Sequence, residues 1–172
     1  MTEENQNATE ENAQQLPPLV MNQQYIKDLS FEMPEAPVIF QKITDAPDID
    51  MGIDVRVERL DPERVYEITL ALRLQGRLKG TDEILFHMEL AYAGVAVVNI
   101  DPEQHAPICR VEVPRLLFPY VRAMATDLTR DAGIPPVVIP PIDFVALFRE
   151  QMRRAAEEKQ GISEDTETAG NA

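Results

Sequence analysis

Between Ile49 and Glu58 the chain alternates strictly, with Ile49, Met51, Ile53, Val55 and Val57 apolar and Asp50, Gly52, Asp54, Arg56 and Glu58 between them. A period of two is a half-buried strand with one wet face. The stretch Val65 to Leu78 repeats the pattern with Tyr66, Ile68, Leu70, Leu72 and Leu74. Glu83 to Val98 repeats it again, with Phe86, Met88, Leu90 and Tyr92 inward and His87, Glu89 and Ala91 outward. Turn residues at Asp61-Pro62 and Gly80 to Asp82 join these runs into a predicted three-stranded meander. A further strand is predicted upstream, over Gln23 to Pro34. Period two there puts Tyr25, Leu29 and Phe31 on one face, with Lys27 interrupting them, and Ile26, Asp28, Ser30 and Glu32 on the other. Prolines from Glu35 to Pro47 predict an irregular crossover around Val38, Ile39 and Phe40.

The period then changes. Over Val113 to Pro136, the residues Leu117, Tyr120, Val121, Met124, Ala125 and Leu128 follow the i, i+3, i+4, i+7 spacing of an amphipathic helix. Pro119 suits a first turn, and Gly133 with Pro135 and Pro136 a stop. The connection Asn99 to Glu112, with Pro102 and Pro107, has room for a short helical turn. After an extended Val137 to Pro141, Asp143 is an N-cap acceptor for a second helix. Its apolar stripe is Phe144, Leu147, Phe148 and Met152, and Arg153 and Arg154 suit its C-terminal dipole. Helices that follow the strands predict an α+β fold, a four-stranded antiparallel sheet with two helices packed on one face. Leu117, Tyr120 and Val121 make the far side of the central helix apolar, which predicts self-association about a two-fold axis.

Composition trims the options. A formal net charge of −14 and a pI near 4.5 repel nucleic acid and anionic lipid and favour basic partners. Residues 1–16 and 156–172 are polar and acidic and are expected to be disordered, flanking one domain over 17–155. With no leader pattern and no long apolar run, the expected location is cytoplasmic, without membrane insertion. Cys109 is the only cysteine, which excludes an intramolecular disulfide and suits a buried structural thiol. His87 and His105 have no i, i+4 partner and no phosphate loop or nucleophile motif occurs, so neither an enzyme nor a cofactor or metal is expected. Asp28, Glu32 and Glu89 are the one candidate acid/base or metal group, although carboxylates on a strand face are ordinarily solvated. Phe31, Phe40, Phe144 and Phe148 either line a peptide groove or complete the core.

The ordered segments YIKDLSFEMPEAPVIFQK (Tyr25 to Lys42), VYEITL at Val65, PRLLFPYVR (Pro114 to Arg122) and PPIDFVALF (Pro140 to Phe148) resemble the SecB protein-export chaperones. The likeness spans about Val20 to Met152. It implies a homotetramer, a dimer of dimers with helices between two eight-stranded sheets. It also implies an ATP-independent holdase that keeps newly made precursor proteins unfolded and delivers them to the SecA translocation ATPase, with no chemistry on substrate. By the same resemblance, Asp28, Glu32, His87 and Glu89 receive the basic zinc-binding tail of SecA, with His87 standing where a leucine is usual. Phe31, Phe40, Ile142, Phe144 and Phe148 would line client grooves. Met88, Leu90 and Tyr92, with Leu117, Tyr120, Val121 and Met124, would support assembly. A SecB-like chaperone of a toxin–antitoxin system, or a non-chaperone scaffold on the same sheet, would share these features.

Overall fold

The computed structural model describes residues 16–60 and 64–168. The expected Asp61-Pro62 turn, and all but the last residue of the expected N-terminal disordered segment, lie outside them. Strands β1 (Leu19–Glu32), β2 (Asp48–Arg59), β3 (Val65–Arg77) and β4 (Ile84–Val98) form one antiparallel sheet in the order β1-β4-β3-β2. The predicted meander is β2-β3-β4, and β1 comes back to pair with β4. Registers such as Ile53 with Leu72 and Leu72 with Leu90 set the apolar alternations side by side on one face. Ile68, Leu70, Leu72, Leu74, Met88 and Leu90 on that inner face are almost fully buried.

Strand β1 departs from strict alternation. Ile26 pairs with Tyr92 and Asp28 with Ala91, so Lys27 is an extra residue without a partner. This bulge inverts the strand from Ile26 back to Gln24, where a second register shift, between Met21 and Gln24, follows. Ile26 therefore joins Leu29 and Phe31 on the inner face, and Tyr25 joins Asp28 and Glu32 on the outer one, a correction to the period-two expectation. The downstream half is fixed by Phe31, whose ring stacks on the buried Phe86 at 5.4 Å.

The central helix begins earlier than predicted. A 3-10 turn at Pro102–Gln104, the single turn α1 (His105–Pro107) and a π-helical stretch Ile108–Glu112 run directly into α2 (Val113–Asp131). Pro119 therefore lies inside the helix and not in its first turn. Its place is tolerated on the exposed side, where water can solvate the carbonyl left without a donor. Val113, Leu117, Val121, Ala125 and Thr129 form a buried row of four-residue spacing that faces the sheet. Leu117 and Val121 consequently do not line the far side of α2, as expected from sequence; Leu116 and Tyr120 do, each about half exposed. The stop is as predicted, with Gly133 at a φ of +80° and its N–H bonded to the Arg130 carbonyl.

Helix α3 (Phe144–Thr168) opens on Asp143, whose Oδ1 accepts the Val145 and Ala146 N–H groups, both at 3.0 Å. Asp143→Ala should cost about 1 kcal/mol; an unchanged thermal midpoint at fixed protein concentration would contradict that. The helix stands at the β2 border rather than flat on the sheet. Phe144 packs edge-on against Phe118, and Gln151 donates to Asp54 Oδ1 at 2.9 Å and accepts from Arg110. The helical backbone includes 156–168, a stretch expected to be disordered. The run AAEEK (Ala155 to Lys159) is strongly helix-forming and carries the backbone on after the packing ends.

Candidate functional site

The outer face of the sheet gathers the acidic candidates. Cross-strand pairs Ser30 with Glu89 and Glu32 with His87 share a face, and Asp28 follows two residues before Ser30. Asp28, Glu32, His87 and Glu89 thus form a compact patch on two neighbouring strands, with the three carboxylates exposed. Among the described residues no cluster of His, Cys, Asp and Glu is arranged to hold a metal ion. What pattern reading missed is Arg73 on β3, paired with Glu89 in register and in an ion pair with it at 3.3 Å. Beside it, Gly52 leaves a hollow of about 340 Å³ bordered by Asp50, Arg73, Gln75, His87 and Glu89. The alternation of β3 already put Arg73 on the wet face; the missing information was the register against β4.

At the upstream end of the same face, the Glu67 carboxylate accepts from both Tyr25 Oη and Lys27 Nζ. Glu67 is a buried carboxylate on β3, reached across β4 from the bulged strand. Its hydrogen bond from Lys27, and then that from Tyr25, hold its carboxyl below the usual carboxylate range, and the same bonds push Tyr25 and Lys27 upward. Glu67 therefore contributes stability that is complete above the unfolded-state carboxyl pKa and is lost as the pH falls through the lower folded value.

On the helix side, the chain has an apolar hollow of about 410 Å³. Its floor is Ile49 and Met51 at the start of β2, Leu74 on β3, and Ala46 and Pro47, and its wall is the extended segment Pro135 to Pro140. The five groove residues expected from sequence do not line it. Phe40 stands exposed by Gly133, at the start of that wall, and Ile142 and Phe148 are half-buried at the edge of the core. Phe144 is buried against Phe118, and Phe31 is part-buried with its ring stacked on Phe86. Sequence reading weighted aromatics and passed over the proline-flanked Val137, Val138 and Ile139.

A third surface joins the sheet to the helix. Tyr92 stacks on Tyr120 at 5.7 Å, and Ile26, the partner of Tyr92, is half exposed, as are Tyr120 and Leu116. Of the residues expected to support assembly, Met88, Leu90, Leu117 and Val121 are buried in the chain's own core. Tyr92 and Met124 lie at its edge, leaving Tyr120 as the exposed member. Cys109 is buried, which pushes its thiol up to about 11, and it is inert packing. No helix among the described residues is long and apolar enough to cross a membrane.

Residues 12–155 match the family model described as preprotein translocase subunit SecB. The protein-export protein SecB of Rhodospirillum rubrum is 44% identical over 138 residues, covering 80% of this chain and 84% of that one. That of Granulibacter bethesdensis is 45% identical over 162 residues, covering 91% of this chain and 90% of its own. Among solved structures, a SecB-like chaperone of Mycobacterium tuberculosis, in complex with a ChAD peptide from an antitoxin, superposes with a TM-score of 0.60. That likeness covers 73% of this chain and 91% of the other at 15% identity, and so concerns the fold.

Proposed function

Because the chain belongs to the SecB family of preprotein translocase subunits, we propose that it is an ATP-independent, non-enzymatic holdase of the cytoplasm. In this reading it binds unfolded precursor proteins and delivers them to SecA for export. The observation that carries the delivery step is the outer-face patch of Asp28, Glu32, His87 and Glu89, an exposed acidic surface suited to the basic tail of SecA. Clients would lie along the apolar hollow between β2 and the Pro135 to Pro140 wall, with Phe40 extending it. Binding only the unfolded state holds clients back by mass action, without nucleotide.

Assembly as a dimer of dimers agrees with two features. The long edge of β1 is open to pairing, and the Ile26, Tyr120 and Leu116 patch needs cover. A role with an antitoxin is not favoured, since the relatives at 44% and 45% identity are protein-export proteins and the antitoxin-bound chaperone shares only 15%.

Light scattering of the free protein, then calorimetric titration with the zinc-loaded SecA tail, tests the reading. A tetramer should bind the tail, Asp28→Ala/Glu32→Ala should abolish that binding, and affinity for an unfolded client should stay unchanged. A tetramer that holds clients yet ignores the SecA tail would overturn the delivery step and leave a chaperone of another system.

A further inference from the structure

The bulge in β1 has an electrostatic consequence. In a regular strand Lys27 and Asp28 would point to opposite faces. Here the extra residue turns both to the outer face, so a lysine and an acidic docking residue stand next to each other in sequence on one surface. A free ammonium there would offset much of the attraction that Asp28 and Glu32 exert on a basic segment. It is not free, because Glu67 takes it into an ion pair whose acidic member is buried, while Asp28 and Glu32 remain outside any ion pair among the described residues. Tyr25 donates to the same carboxylate, so the acceptor is held by two outer-face side chains of β1.

We propose that Glu67 is a positioning residue for the acidic docking face: it draws the charge of Lys27 sideways across β4 into an ion pair, so that Asp28 and Glu32 present their field to a basic partner segment without a free lysine beside them. The inference rests on the docking function proposed for that face. It assigns to Glu67, a residue that touches no partner, control over how strongly the partner is attracted.

The test uses the full chain and the zinc-loaded SecA tail as probe. Glu67→Gln keeps the volume and a hydrogen-bonding end but releases the Lys27 charge. It should weaken tail binding about fivefold at low ionic strength, the effect of one unit charge at contact distance in water. The loss should shrink as salt is added. Lys27→Gln in the same background should restore wild-type affinity, and Lys27→Gln alone should bind at least as tightly as wild type. A purely structural brace predicts the opposite, since each removal would loosen the bulge and the double variant would be the weakest. Wild-type affinity in Glu67→Gln, failed rescue in the double variant, or weaker binding by Lys27→Gln alone would overturn the proposal. Lys27→Gln alone decides the matter if Glu67→Gln does not fold. If the wild type ignores the tail, or Asp28→Ala/Glu32→Ala binds as well as wild type, the docking reading itself falls and this inference with it.

Discussion

Gly76→Ala should destabilise the protein by about 3 kcal/mol, the upper end of what overpacking a core usually costs. Gly76 sits on the inner face of β3, opposite Ile49 on β2 and Phe86 on β4. A methyl group there would lie 2.2 Å from Phe86 Cε1 and 2.5 Å from Cδ1. The ring has nowhere to go, being fully buried and stacked on Phe31. Moving it aside breaks the contact that holds the downstream half of β1 in register, so the damage should spread to the edge of the sheet. Gly94→Ala is the internal comparison. Its methyl would meet the flexible end of Met21 at 2.7 Å and Leu117 Cδ2 at 3.0 Å, and the thioether can swing away. Urea denaturation at a fixed protein concentration should therefore give a far larger fall in midpoint for Gly76→Ala than for Gly94→Ala. Equal midpoints for the two variants would show that Phe86 is not confined.

The same residues mark where sequence reasoning succeeds and where it stops. Alternation in β2, β3 and β4 is legible because each turns its apolar positions to one face along its length, and each apolar position reports its side independently of the others. Strand β1 is an edge with a bulge. Its register shifts, between Met21 and Gln24 and between Ile26 and Asp28, leave no compositional trace, since Lys27 reads simply as a polar interruption until the pairing with β4 is known. Helix α2 was legible in its stop but not in its start. A proline is read as a beginning, while the continuous helical path through Ile108–Glu112 depends on packing that no local propensity encodes. Its apolar stripe was also too wide to assign a face, and the buried row of four-residue spacing decided between Leu117 and Tyr120. The candidate site divides in the same way. Asp28, Glu32, His87 and Glu89 lie on strands whose downstream alternation is regular, so they come together as expected. The aromatics were ambiguous because a large ring serves a core and a groove equally well; in this chain Phe144 is buried and Phe31 part-buried.

Thr129→Val should cost about 2 kcal/mol and loosen the wall of the apolar hollow, although it changes neither the volume of the residue nor its surroundings. Thr129 is fully buried in α2. Its hydroxyl donates to the Ala125 carbonyl at 2.8 Å and accepts the Val137 N–H at 3.0 Å. Thr126, one turn away on the same helix, donates to the Val137 carbonyl at 2.8 Å. Val137 is thus gripped at both its backbone groups, its N–H by the Thr129 hydroxyl and its carbonyl by that of Thr126. With valine at 129 the Val137 N–H is buried and unpaired, a cost that falls on the folded state alone. Amide exchange at Val137 should rise by at least about tenfold, the factor that corresponds to 1.4 kcal/mol. Affinity for an unfolded client should fall with it, because Val137 and Val138 are part of the wall. Thr129→Ser retains both hydrogen bonds and should restore exchange protection and affinity together. Val138→Asp separates the wall from the grip, since Val138 is 62% exposed and contributes little to folding. If Val138→Asp weakens client binding while Thr129→Val loosens Val137 without doing so, the wall matters but its rigidity does not. If neither variant changes client affinity, clients do not use this hollow.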